Sequence, residues 1–140
     1  MNHKLKLHNV TKTFKSEEGE IKALDNVNLE VKANEFLCIV GPSGCGKTSL
    51  LRMIAGLDYP SSGDILLDGE KVCGPSPDRG MVFQEYSLFP WKTVLKNVEF
   101  GLEIRGAEDG DSRKTAEHYI ELVGLKGFEN SYPYELSGGM

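Results

Sequence analysis

Eight consecutive residues carry the clearest chemistry in this sequence. Residues 41–48 read Gly-Pro-Ser-Gly-Cys-Gly-Lys-Thr and match in full the phosphate-binding loop pattern G-x-x-x-x-G-K-[ST]. The glycines leave the backbone free to turn successive N–H groups toward an anion. The positive end of a following helix stabilises phosphate at the same place. The pattern therefore predicts a site for the phosphates of a nucleotide.

Individual positions of this loop have defined expected roles. Lys47 supplies a full positive charge to the β- and γ-phosphates, and the Thr48 hydroxyl is placed to coordinate Mg²⁺. The predicted nucleotide-binding residues are Gly41, Pro42, Ser43, Gly44, Cys45, Gly46, Lys47, Thr48 and Ser49. Two alternatives stay open: a plain strand-turn-helix with a surface lysine, and a redox switch at Cys45.

The sequence on both sides of the loop has the pattern that positions it. Residues 36–40, Phe-Leu-Cys-Ile-Val, form an unbroken apolar run that is typical of a buried parallel strand, with Cys38 in the core. After the loop, four apolar residues share one face of a predicted helix that ends at Gly56: Leu50, Leu51, Ile54 and Ala55. Strand, glycine loop and helix in this order predict an α/β fold.

The remaining segments predict one β-rich lobe and one helical lobe. Residues 5–10 and 23–31 alternate at period two and predict two paired strands, and residues 64–68 and 80–84 predict shorter ones. After residue 84 the spacing becomes helical. A first helix is predicted from the spacing of Val94, Leu95, Val98 and Leu102. A second helix is predicted to be capped by Ser112 and to run to Val123, and its inner face consists of Ala116, Tyr119, Ile120 and Val123. We expect residues 1–140 to form one partial domain, with a β-rich lobe over residues 1–84 and a helical lobe over residues 85–140.

Composition and charge narrow the class of protein. The chain has 140 residues and a formal net charge of −5 with no basic block, which argues against nucleic acid as the main partner. No apolar run approaches the ~20 residues of a membrane span, and the first residues lack the apolar stretch of a signal peptide. Three cysteines without metal-type spacing indicate reduced thiols in the cytosol.

Three further features, in order along the chain, resemble the ATP-binding subunit of an ABC transporter. Phe14 lies where that family has an adenine-stacking aromatic residue, more often Tyr. Gln84, within Val-Phe-Gln-Glu, resembles the Q-loop glutamine. The end of the chain resembles the signature sequence, with Met140 where Gln is commoner, over Leu136, Ser137, Gly138 and Gly139. With the loop at 41–48, which resembles the Walker A loop, the resemblance covers the whole length.

The resemblance implies a fold, a cofactor and partners. It implies an α/β P-loop NTPase-type core with an antiparallel β subdomain and a helical subdomain, binding ATP and Mg²⁺. Lys47 and Gln84 are the implied catalytic residues, and Thr48 and Gln84 the implied metal ligands. The signature residues would contact ATP held by a second ATPase subunit in a head-to-tail dimer. A patch of Leu88, Phe89 and Trp91 would contact a membrane subunit, with the protein peripheral at the cytoplasmic side of the membrane.

A finer resemblance points to one branch of importers. Residues 77–84, Pro-Asp-Arg-Gly-Met-Val-Phe-Gln, and residues 88–91, Leu-Phe-Pro-Trp, are similar to segments of importers of nitrate, aliphatic sulfonates or taurine.

Each feature also has a plainer interpretation. Phe14 and the patch at 88–91 could be core, Gln84 could face solvent at a strand end, and residues 137–139 could be a frayed terminus. Asp78 and Arg79 could form a turn with a surface ion pair.

The resembling family continues past the signature with a hydrophobic strand ending in Asp-Glu, an aspartate loop and a histidine that senses the γ-phosphate. Residues 1–140 contain none of these, so we expect a C-terminally truncated core and negligible hydrolysis by this chain alone, unless Glu85 acts as base.

Two other functions stay open: a non-transport ABC ATPase, and a stand-alone nucleotide-binding module such as a small-molecule kinase. The acidic charge and the patch at 88–91 argue against the former, and the signature against the latter.

Overall fold

The computed structural model describes residues 3–17, 19–84, 87–106 and 109–140. The chain divides into two units, residues 1–81 and residues 82–140. In its described residues the first unit contains four strands and one helix, and the second contains two helices and a 3-10 turn at Pro133–Glu135. No helix within these described ranges has the length and hydropathy that spanning a bilayer requires.

The first unit is built on an antiparallel sheet whose strands lie in the order β2-β1-β3-β4. β1 (His3–Ser16) and β2 (Gly19–Lys32) form a long hairpin, and β3 (Ser62–Leu67) pairs with the other edge of β1. β4 (Glu70–Lys71) pairs with β3. The predicted pairing of residues 5–10 with 23–31 is thus confirmed, and both strands extend beyond the predicted bounds.

One face of this sheet is covered by the helix that follows the glycine loop, α1 (Lys47–Ile54). The buried cluster consists of Leu7, Val10, Leu24, Leu50, Met53, Ile65 and Val72. Burying each of these side chains stabilises the fold by about 1.5–3 kcal/mol. The predicted inner face of α1 is right for Leu50 but wrong for Leu51, which is 48% exposed, because Met53 takes the inward position.

Residues 36–40 do not form the buried strand that their apolar run predicts. Phe36 is 93% exposed, Val40 is 87% exposed, and Cys38 is exposed as well. No described segment pairs with residues 36–40. A strand needs a neighbour for its N–H and C=O groups, and the sequence of one segment does not reveal whether that neighbour is there. The strand predicted at residues 80–84 is wrong for the same reason, with Val82 97% exposed.

Two packed helices form the second unit, α2 (Val94–Ile104) and α3 (Asp109–Leu122). Their buried hydrophobic residues are Val94, Leu95, Ala116 and Ile120, as predicted. Tyr119 and Val123 were predicted inward but are 52% and 66% exposed. The cap prediction is wrong too: α3 already begins at Asp109, so Ser112 lies inside the helix, where it is buried.

The segment before α2 is held by one side chain, Asn97. Its amide Nδ2 donates to the carbonyls of Phe89, Lys92 and Thr93 at 3.2, 3.0 and 3.0 Å, and its Oδ1 accepts from the Phe89 N–H at 2.8 Å. The Thr93 hydroxyl caps α2 by accepting from the Lys96 N–H. A single partly buried asparagine therefore shapes residues 89–93.

We expect Asn97→Ala to lower the free energy of unfolding by about 1–3 kcal/mol, because a partly buried set of main-chain groups loses its partners. Urea unfolding followed by circular dichroism measures this loss. Asn130→Ala is the matched control, since Asn130 is exposed and its side chain has no hydrogen bond among the described residues. Equal stability of the two variants would contradict the assigned role of Asn97.

Candidate functional site

The glycine loop ends in a backbone arrangement suited to an anion. Gly44 and Gly46 both have left-handed backbone angles, with φ of +81° and +93°. Gly46 is the N-cap of α1, it provides no side-chain cap, and the first turn contains no acidic residue. The leading N–H groups of a helix have no intrahelical partner, so here they are available to a negatively charged ligand.

Gly46 also fixes the loop against β2. A Cβ atom at this position would lie 2.6 Å from the Ala23 carbonyl oxygen and 2.9 Å from Leu24 Cδ2. Such distances are far below van der Waals contact, and one of the atoms is rigid backbone. Glycine is therefore required at position 46 both for its φ angle and for this close approach.

The Lys47 ammonium lies along the loop from which its helix starts. Nζ donates to the carbonyl oxygens of Gly41 and Pro42, both at 2.7 Å, and Cys45 Sγ is 3.6 Å away. These partners are neutral, and Lys47 makes no ion pair within the described residues. The positive charge is thus held in place without being neutralised, which favours an incoming anion.

A magnesium ion fits the residues of this loop. Thr48 is exposed in the first turn of α1, beside the predicted phosphate position. Mg²⁺ keeps several of its waters and is usually held by one or two protein oxygens together with substrate phosphates. The described residues contain no group of three or more His, Cys, Asp or Glu that could hold a metal. A hydroxyl ligand working with phosphate oxygens is therefore the arrangement that fits here.

Phe14 is a surface residue rather than part of the core. It lies on β1 opposite Ile21, close to the hairpin turn, and is 40% exposed. The Lys12 ammonium lies 5.1 Å from the centre of its ring. The core alternative is therefore disfavoured, and the ring remains available for stacking.

Gln84 and the signature residues lie in the second unit. Gln84 is exposed, whereas Glu85 lies outside the described residues. The Met140 N–H donates to the Ser137 carbonyl at 2.9 Å, which closes a turn over residues 137–140. Ser137, Gly138 and Gly139 are exposed, and Leu136 packs against the α2–α3 core.

The aromatic patch has one anchored and two exposed members. Phe89 packs edge-on against Phe100, with ring centres 4.7 Å apart, and lies 5.5 Å from the ring of Trp91. Leu88 is 48% exposed and Trp91 is 72% exposed. A groove of about 690 Å³ lies beside them, lined by Leu88, Pro90, Pro133, Tyr134 and residues 136–140. Internal packing thus accounts for Phe89 alone.

Comparison with known proteins identifies the family. The family model described as ABC transporter matches residues 24–140. The chain belongs to the ABC transporter family. The match includes both the glycine loop and the signature segment, so the resemblance noted in the sequence is confirmed.

Individual relatives are similar over nearly the whole chain. An uncharacterized ABC transporter ATP-binding protein of Methanocaldococcus jannaschii is 60% identical over 140 residues, 100% of this chain and 52% of that protein. The nitrate import ATP-binding protein of Synechocystis is 52% identical over 136 residues, 97% of this chain and 51% of its own length. A taurine import ATP-binding protein of Roseobacter denitrificans is 44% identical over 137 residues, covering 97% and 51% respectively. The chain thus spans about half the length of these ABC relatives.

Solved ABC structures show the same fold. The dimeric post-hydrolysis state of an ATP-binding cassette, bound to ADP and Pi, superposes with a TM-score of 0.85 at 41% identity. It covers 96% of this chain, which covers 64% of that structure. The fold is therefore the expected P-loop NTPase type, with an antiparallel β subdomain and a helical subdomain.

Sequence reasoning missed one ion pair in this ABC chain, between β1 and the segment that follows α1. Lys12 Nζ lies 2.6 Å from Asp58 Oδ1 and donates to the Tyr59 carbonyl at 2.7 Å. The hydrogen bond from Lys12 holds the pKa of Asp58 below its ordinary value. The partners are far apart in the sequence, and no local pattern signals their contact.

Arg79 forms the predicted turn and ion pair with Asp78, and it makes one further contact. Its Nη1 lies 3.6 Å from Asp78, as a surface pair would, but its Nη2 donates to the Gly74 carbonyl at 2.6 Å. That same carbonyl oxygen lies 2.1 Å from where a Cβ of Gly56 would be. Arg79 thus holds the loop around Gly74 against Gly56, two residues beyond the end of α1.

We expect Gly46→Ala to destabilise the ABC fold more than Gly44→Ala does. Both variants carry the cost of a left-handed alanine, about 1–2 kcal/mol. Only Gly46→Ala adds a steric clash, because nothing lies within 4 Å of a Cβ at Gly44. Free energies of unfolding from urea titrations measure the difference, and equal losses would show that the close approach to β2 is wrong.

The Asp58–Lys12 pair predicts a dependence of stability on pH. Because the folded pKa of Asp58 lies below its ordinary value of 3.8, its contribution is present above that value and is lost as pH falls through the folded pKa. We expect Asp58→Asn to reduce the fall in unfolding free energy between about pH 5 and pH 2. Asp25→Asn is the control, since its ion pair with Lys22 is exposed. An unchanged pH profile in Asp58→Asn would contradict this.

Proposed function

We propose that this protein is the ATP-binding subunit of an ABC importer, which couples binding and hydrolysis of Mg-ATP to solute transport. The observation that carries the proposal is the loop at residues 41–48, which combines uncapped helix N–H groups with an unneutralised lysine held by the loop's own carbonyls. Supporting it, relatives that span about twice this length include ATP-binding proteins for nitrate and taurine import.

The loop residues divide the work of binding the triphosphate. The N–H groups around Gly44, Cys45, Gly46 and Lys47 cradle phosphate oxygens, helped by Gly41, Pro42, Ser43 and Ser49. Lys47 exchanges its two carbonyl partners for oxygens of the β- and γ-phosphates, where charge develops in the reaction. Thr48 holds Mg²⁺, which neutralises phosphate charge when bound.

The second unit supplies the groups that respond to the nucleotide. Gln84, whose side chain is exposed, would be a ligand of the metal or would orient the attacking water, as the family resemblance implies. The lobes divide at about residue 84, with 85–140 as the helical lobe. Nucleotide-dependent movement of this lobe is then the coupling step. Leu136, Ser137, Gly138 and Gly139 contact ATP held by a second copy in a head-to-tail dimer. A solved ABC cassette that is dimeric supports this arrangement.

The patch of Leu88, Phe89 and Trp91 is the contact with a membrane subunit. Phe89 is held by Phe100 and Asn97, while Leu88 and Trp91 present apolar surface beside a groove. Large exposed apolar side chains at a defined place are typical of interfaces. The protein would then lie at the cytoplasmic face of the membrane, held through that partner.

Lys47→Ala tests the proposed phosphate site. We expect the affinity of the chain for ATP to fall at least about tenfold, because the γ-phosphate loses its cationic partner in a partly desolvated place. Isothermal titration of ATP measures the loss. Lys114→Ala is the control, since Lys114 is exposed on α3 and equally removes one positive charge. Near-normal ATP affinity in Lys47→Ala would refute the assignment.

A further inference from the structure

Lys12 lies in an unusual position for a lysine on a sheet surface. Its side chain is only 12% exposed, although the ring next to it is at the surface. The ammonium donates to Asp58 at 2.6 Å and to the Tyr59 carbonyl at 2.7 Å. Because the Asp58 carboxylate neutralises the ammonium, we do not expect Lys12 to bind phosphate.

The same ammonium lies over one face of the Phe14 ring, 5.1 Å from its centre. Residues two apart on a strand point to the same side, so β1 itself places Lys12 and Phe14 together. A cation over an aromatic face is attracted by the ring quadrupole. The contact favours one orientation of the ring, which stays 40% exposed.

Lys12 is also connected to the phosphate-binding loop. Across the hairpin it pairs in register with Leu24, and Leu24 is one of the two residues that Gly46 approaches closely. On its other side, Asp58 and Tyr59 belong to the segment that follows α1. The lysine therefore contacts the strand beside the start of α1 and the chain beyond its end.

We propose that Lys12 is a positioning residue that sets the place of the Phe14 ring relative to the phosphate-binding loop, and so gives the site its preference for a nucleotide carrying a stacked base. This proposal rests on the proposed function. A base that stacks on the Phe14 ring is joined to a triphosphate in the loop, so the distance between the two subsites must be fixed. Lys12 acts on this distance through its contact with the Phe14 ring and through its bonds to Asp58 and Tyr59, in the segment that follows α1.

The charge balance of Lys12 supports a role in base binding alone. Asp58 neutralises the ammonium, and its lowered pKa keeps the ion pair intact at neutral pH. Removing Lys12 leaves a single carboxylate, Asp58, which is 28% exposed, so that water and salt screen its field at the phosphates. The removal changes instead the order and the electronic character of the Phe14 ring, on which base stacking depends.

The test compares ATP with inorganic tripolyphosphate, which occupies the loop without a base. Dissociation constants for both are measured by titration calorimetry on the whole 140-residue chain. We expect Phe14→Ala to weaken ATP binding about fivefold to a hundredfold, which is the usual contribution of one stacked base to affinity. We expect Lys12→Met to weaken ATP about threefold to tenfold. Neither variant should change the affinity for tripolyphosphate by more than about twofold.

A double variant separates positioning from a general loss of structure. If Lys12 acts through the ring, Lys12→Met adds little once Phe14→Ala is present, and the two losses are not additive. Lys12→Arg keeps the cation and the partner for Asp58, and we expect it to retain wild-type binding. Should Lys12→Met fail to fold, Asp58→Asn removes the anchor of the ammonium instead, and we expect the same selective loss for ATP.

The outcomes distinguish this proposal from the proposed function. A wild-type chain that binds neither ATP nor tripolyphosphate contradicts the proposed function itself. If both bind, an unchanged ATP-to-tripolyphosphate ratio in Lys12→Met or Asp58→Asn overturns the role of Lys12 alone. Equal loss of both ligands in a folded Lys12→Met chain also overturns it, because it would place Lys12 at the phosphates.

Discussion

The closest approach in the site is that of Gly46 to the backbone of β2, and the other functional features depend on it. Gly46 turns the chain through a left-handed conformation, lies against the Ala23 carbonyl, and starts α1 in the same step. The start of α1 determines where its free N–H groups point and where Lys47 projects. It also determines that Leu50 and Met53 meet the sheet. One steric constraint thus links phosphate chemistry to the packing of the core.

Features that depend on residues close together in the sequence could be predicted. Features that depend on contacts between residues far apart in the sequence could not. The glycine loop, the hairpin and the α2 positions depend on local spacing, and the structure has all three. The Lys12–Asp58 pair joins β1 to the end of the α1 region, and Asn97 bonds to main-chain groups. A main-chain carbonyl leaves no mark on residue type, so nothing in the sequence indicates which side chain will bind it.

The two kinds of error in the prediction have different physical causes. Residues 36–40 have the composition of a buried strand, but composition reports what a segment would do once neighbours cover it. Phe36 shows that this cover is absent among the described residues. For α3 the error is one of phase. The inward residues of α3 are Ser112, Ala116 and Ile120, four residues apart, so the buried face continues through the position predicted as the cap. Tyr119 lies to one side of this face, and Val123 lies beyond the end of the helix.

Lys12 and Lys47 show why residue type alone does not assign a role. Lys12 and Lys47 have the same charge, and both lie in the first unit. Lys12 is paired with a carboxylate, so its field at a distance is largely cancelled and its influence is limited to the ring it touches. Lys47 is held by carbonyl oxygens, which orient the ammonium but do not neutralise its positive charge. In a chain of net charge −5, attraction of a polyanion therefore depends on an uncancelled local field and not on the overall charge.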